Sequence, residues 1–181
     1  MPRFVLICFV LLFTESAISA PVIGKQCSFK LMDVDGRTLT SSDGVVTVLV
    51  LVSKQEADKA KLVGNRIPER CLGGTTSRMI TVVHFTRTQN SALRFLFTSM
   101  MRRRLDNEAA LLRKRYAAKG LHRDARQDVY GVADFDGQTD SQLGLPADSS
   151  EFRVLVVSAD GTLLQEWNNV PSAEDLSKAL P

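Results

Sequence analysis

The chain has 181 residues, 23 Lys/Arg against 20 Asp/Glu, a formal charge of +3 and 44% hydrophobic residues. That length makes one ordinary domain with its own core. Two histidines exclude a histidine-rich metal site, and no stretch after residue 20 is long and apolar enough to span a bilayer.

The first twenty residues read as a secretory signal peptide. Arg3 supplies a minimal positive start, Phe4–Phe13 an apolar run of ten, and Thr14–Ala20 a small, polar cleavage region. Ten apolar residues are half of the roughly 20 that a spanning helix needs. Cleavage after Ala20 would leave Pro21 beside the cut bond, which is disfavoured; cleavage after Ser19, with Ala17 three positions before it, is the alternative. A lipoprotein reading through Cys8 is opposed by bulky Ile7. The expected organisation is a signal peptide at 1–20 and one domain at 21–181, exported to the periplasm or the exterior.

Ser28–Met32 and Arg37–Thr40 form a hairpin pattern around the turn residues Asp33-Val34-Asp35-Gly36. Val45–Val52 (VVTVLVLV) is continuously apolar, as in a strand buried on both faces of a mostly parallel sheet. Ser53 follows as a helix N-cap, and Ser53-x-x-Glu56 has the capping-box spacing. That helix should run to about Asn65 and stop before Pro68. Gly73-Gly74 is a turn, and Met79–Phe85 is the second buried strand.

Ala92–Lys119 is a long helical pattern. Leu93, Leu96/Phe97, Met100/Met101, Leu105, Ala109, Leu112 and Tyr116 fall near one face, and Gly120 is a stop. Val129–Ala133 reads as a strand, followed by the turn Asp134-Phe135-Asp136-Gly137 and a helical turn around Ser141–Leu143. Phe152–Ser158 and Thr162–Trp167 pair across Ala159-Asp160-Gly161. Pro171–Leu180 is a closing helix with Ser172 as N-cap. The order of elements is α/β and ends in an antiparallel pair.

At the strand-to-helix junction, Ser53–Ala60, there is no cysteine. A helix N-terminus stabilises a thiolate, so a thiol enzyme of this architecture would place its cysteine there. Cys27 and Cys71 remain beyond the leader. Export permits them to bond, and closing that 45-residue loop would contribute roughly 4 kcal/mol if the Cα atoms lie within about 7 Å. Two unpaired buried thiols are the equal alternative.

The residues resemble the thioredoxin-like superfamily. "FKLMDVDGRTLT" resembles the opening hairpin of periplasmic thioredoxin-like and peroxiredoxin-like proteins. "VYGVADFDGQTDSQLGLPADSSEFRVLVVSADGTLLQEW" resembles their later strand, short helix and C-terminal hairpin. The match extends most closely to the periplasmic YtfJ-like group, through the cysteine-free junction, the D-x-D-G turn and Ser149–Gly161. The resemblance covers roughly Ser28 to Leu180. It implies a thioredoxin-like fold with a central mixed sheet flanked by helices and an N-terminal hairpin, but no assigned chemistry. Thioredoxins need Cys-x-x-Cys at the first helix turn and peroxiredoxins one cysteine there; neither is present. The cis-proline that redoxins place before the penultimate strand would fall near Phe152, and Pro146 is several residues too early.

In open α/β sheets ligands bind beyond the strand C-termini. Ser53, Lys54 and Gln55 would then face His84, Thr86 and Arg87 across a crevice. A hydrogen-bonded histidine at the core edge is the plainer reading of His84. Residues 21–126 hold 20 Lys/Arg against 9 Asp/Glu, and residues 127–181 hold 2 against 10. Arg102, Arg103 and Arg104, with Arg113–Arg115, are the centre of the basic half. Consecutive arginines spread around a helix, and a solvated face is the plainer reading; an acidic envelope protein or a membrane surface is the partner they would fit. Export argues against nucleic acid. The Asp-Gly turns lack calcium-loop spacing, and no nucleophile elbow, P-loop or H-E-x-x-H occurs, so no cofactor, metal or catalytic residue is expected. The two functional expectations are a non-catalytic binding module of the envelope, and a divergent redoxin using Cys71, with or without Cys27.

Overall fold

The structure is a computed structural model that describes residues 21–85, 90–146 and 151–181. The leader segment and two of the expected site residues, Thr86 and Arg87, lie outside the described residues.

Strands β1 (Lys30–Met32) and β2 (Thr38–Thr40) form the expected hairpin. Its turn is held by Asp33, whose Oδ1 accepts from the backbone N–H groups of Asp35 at 3.0 Å and Arg37 at 2.7 Å. Gly36, at φ 82°, supplies the left-handed step. The main sheet contains β3 (Val46–Ser53), β4 (Ser77–His84), β5 (Tyr130–Asp134), β6 (Arg153–Val157) and β7 (Leu163–Trp167), in the order β5-β4-β3-β6-β7. β3, β4 and β5 are parallel, while β6 and β7 are antiparallel additions. The two continuous apolar runs of the sequence are thus adjacent parallel strands.

Side chains alternate across each strand, and this separates two cores. On one face Val48, Val50, Val52, Val154 and Val156 pack beneath α1 (Ala57–Arg66), α2 (Ser91–Ala118) and α4 (Ala173–Ala179). On the other, Leu49, Leu51, Ile80, Val82 and Leu155 pack beneath the β1–β2 hairpin and α3 (Gln138–Leu143). Seven of the eight β3 residues are buried, which explains the unbroken apolar run.

Two expectations need correction, and one open alternative is decided. Cys27 and Cys71 are both free and buried, and they belong to the cores on opposite faces of the sheet, so the sheet itself keeps them from bonding. The capping box at Ser53 is half made. Ser53 Oγ accepts from Glu56 N–H at 3.3 Å, but the Glu56 carboxylate turns to Ser53 Oγ and Lys59, and a 3-10 turn at Lys54–Glu56 precedes α1. The reciprocal box forms at Ser172 and Asp175. Finally, α2 buries only Met101, Leu105, Ala109 and Tyr116, while Leu93, Leu96 and Met100 are exposed. In the early turns of α2, Phe97 packs on Phe85 at the sheet's end with ring centroids 5.0 Å apart.

Candidate functional site

Three neighbouring parallel strands end level with one another. Ser53 on β3 pairs in register with His84 on β4, and His84 with Asp134 on β5. Each lies two residues beyond a core residue of the hairpin-side face (Leu51, Val82 and Val132), so strand periodicity puts all three polar side chains on that face. All three are at least 94% buried, being 6% exposed each. The polar row lies at the C-termini of the three parallel strands.

Asp134 organises the row. Its Oδ1 accepts from the N–H groups of Asp136 at 3.3 Å and Gln138 at 3.1 Å, and its Oδ2 from Thr139 N–H at 2.9 Å. The Gln138 and Thr139 N–H groups are orphan donors at the start of α3, whose formal N-cap, Gly137, has no side chain to offer, and the Asp136 N–H belongs to the turn before it. The short helix is therefore capped from the preceding strand end. Burial by itself pushes the Asp134 carboxyl up, but the facing His84 imidazole and the Thr139 donors outweigh it and hold the pKa at about 2.

The imidazole of His84 lies between two buried carboxylates. Nδ1 is 3.5 Å from Asp134 Oδ2, and Nε2 is 3.6 Å from Asp140 Oδ1. Both distances are longer than good hydrogen bonds, and Nε2 makes none. This is a positioned, enclosed imidazole with an ionised carboxylate beside it. Ser53 Oγ, the nearest hydroxyl by strand register, is engaged with Glu56. Lys54 and Gln55 are exposed just beyond it.

Beside this row stands an aromatic one. Phe85 follows His84, stacks on Phe135 with centroids 4.6 Å apart and packs against Phe97. Lys54 Nζ lies 4.4 Å above the Phe97 ring, and Arg94 lies over Phe135 while bonding Asp136. Sequence reasoning read Asp134-Phe135-Asp136-Gly137 as a turn and missed Asp134 and Asp140 as neighbours of His84, and Thr139 as a donor to Asp134. The signal was there in the spacing of Asp134 to a helix start, but pairing it with His84 needs strand register.

The thiols lie elsewhere. Burial, with the Glu166 charge, pushes the Cys27 thiol up to about 11. Cys71 ends a 3-10 turn at Glu69–Cys71, and its Sγ lies 3.7 Å from the carbonyl of Pro181. The expected basic site is also divided. Arg102 donates to the Val34 carbonyl, and Arg104 to the Ala57 carbonyl and Asp58. Arg103 is exposed without a partner among the described residues. No group of three or more His, Cys, Asp or Glu that could hold a metal occurs among the described residues, and no described helix is long and apolar enough to cross a membrane.

No protein-family model matches the chain, and no curated protein matches it. Solved structures do. The exposed lipoprotein thioredoxin Etrx1 of Streptococcus pneumoniae aligns at a TM-score of 0.51 and 16% identity, covering 83% of this chain and 96% of that one. MTB dsbF aligns at 0.50 and 13% identity, covering 87% and 96%. These likenesses, with the mixed sheet and the helices on it, establish a thioredoxin-like fold. The residue at this chain's first strand-to-helix junction is Ser53, not cysteine.

Proposed function

We propose that this chain is an exported thioredoxin-fold module, closest to the YtfJ-like group, that binds protein or peptide segments in the cell envelope without thiol chemistry. The observation that carries this is the junction between β3 and α1. The end of the strand is a serine committed to capping, and the two described cysteines are buried on opposite faces, neither of them in the first turn of an α-helix. Thiol exchange needs an accessible thiolate, and burial raises the Cys27 thiol instead. What the strand ends offer is a surface: exposed Lys54 and Gln55 beside an aromatic row, held on a buried polar row. Such a mixture of apolar and orienting polar groups suits recognition. The apolar leader and its small-residue cleavage region support export.

Two measurements test this reading. Insulin reduction and peroxide turnover should both be absent, and Cys71→Ser should behave like the wild type; turnover that disappears in Cys71→Ser would establish the divergent redoxin instead. A photo-crosslinking residue in place of Gln55 should capture envelope polypeptides, while one in place of Glu174, on α4, should not. Equal capture at both positions would remove the strand-end surface as the binding site.

A further inference from the structure

A cavity of about 500 Å³ lies between α1, α2 and the sheet, on the face away from the His84 row. Its cause is a residue pattern. Ala57 and Ala60 line it with methyl groups and Gly64 with bare backbone, at helical spacing along α1. Long ion pairs span from α1 and the turn after it to α2: Asp58 with Arg104 at 2.7 Å, Lys61 with Glu108 at 3.9 Å, and Glu69 with Arg115. The helices are bridged by side-chain tips over a space that their own surfaces leave unfilled. The floor and far wall are apolar: Met79 and Val83 of β4, Met101 and Leu105 of α2. Exposed Lys61, Met100 and Leu111 also line it, so it reaches the surface.

We infer that this cavity takes a single acyl chain carrying an anionic head, with Lys54 as the head-group contact. Three observations converge. The volume lies within the range of small-ligand sites, about 300–1,000 Å³, and such sites are mostly apolar with few polar groups. The methionines Met79, Met100 and Met101 are unbranched and adapt to a flexible chain. The third is charge. The cations bridging the helices are already committed to Asp58, Glu108 and Glu69. Lys54 lines the same cavity, lies over Phe97, and has no carboxylate partner among the described residues. An anion there would complete a pair without breaking another. The exposed Leu96 and Met100 at that end of α2 fit an amphiphile's approach better than a free polar ion's. This inference does not depend on the peptide-binding reading.

The test is calorimetric titration of the protein as purified from cells, with dodecanoate, dodecanol and lauroyl lysophosphatidylglycerol, each below its micellar concentration. At low salt the dodecanoate or the lysophospholipid should bind at one site, at least tenfold more tightly than dodecanol. Lys54→Glu should weaken the anionic ligands at least tenfold and leave dodecanol unchanged. Gly64→Leu should abolish binding of all three. A Cβ at Gly64 meets only Met79 Sδ, at 3.5 Å, and Met79 Cε, at 3.9 Å, and leucine is the better helix former, so the melting temperature should not fall. Preference between dodecanoate and the lysophospholipid assigns a free fatty acid or a membrane lipid as the source. No saturable binding, or affinity unchanged in either variant, would overturn the inference.

Discussion

Removing the Asp134 carboxylate should destabilise the strand ends and the start of α3 measurably. In Asp134→Ala three backbone N–H groups, two in the first turn of α3 and one in the turn before it, lose their acceptor, and His84 loses one of its two facing carboxylates. Leaving buried donors unsatisfied, together with the loss of a cap, costs about 2–3 kcal/mol. For a chain of this size that is roughly 5–10 °C in melting temperature. The pH dependence supplies an independent check. The folded carboxyl titrates at about 2 against an ordinary 3.8, a difference worth about 2 kcal/mol. Because the folded value is the lower one, that stabilisation is complete well above pH 3.8 and is lost as pH falls toward 2. Asp134→Asn removes the titrating group. Its deficit relative to wild type, followed by urea denaturation from pH 7 to pH 2.5, should therefore shrink with acid. A melting point for Asp134→Ala within 1 °C of wild type, or an Asn deficit that is the same at both pH values, would refute the assignment of Asp134 as the charged cap.

Two further outcomes follow from the packing and the charges. Leu49 is fully buried at the centre of the sheet, in register with Ile80 and Leu155, so Leu49→Ala should cost about 3 kcal/mol in denaturant unfolding; a loss under 1 kcal/mol would mean that the hairpin-side core collapses to fill the space. Arg103 and Arg113 are the exposed arginines of α2 without partners among the described residues, so Arg103→Glu with Arg113→Glu should abolish any salt-sensitive retention of the protein on anionic vesicles or acidic envelope proteins without lowering the melting point, and unchanged retention would show a solvated face. Arg102 is a poor choice for that experiment, because its guanidinium holds the Val34 carbonyl of the hairpin turn.

Much of the fold could be read locally. The runs at Val45–Val52 and Met79–Phe85 declared buried strands because both faces of β3 and β4 must be apolar. Ser53 and Ser172 declared helix starts because orphan N–H groups need an oxygen. The absence of cysteine at the first junction, and with it the case against thiol exchange there, is a statement that one dimension can make. Other features depend on separations that composition does not encode. Strand register brings Ser53, His84 and Asp134 level, and the placement of α3 sets Asp140 against His84. The sheet's two faces decide that Cys27 and Cys71 cannot meet. Arg102 and Arg104 looked like a free basic run until distant acceptors, the Val34 carbonyl and Asp58, were found beside them. The cavity has the same origin. Ala57, Ala60 and Gly64 are unremarkable small residues in sequence, and they become walls only because ion pairs hold a second helix across from them. Local sequence sets which surfaces want burial and which backbone ends need caps; long-range register and helix placement decide which side chains meet.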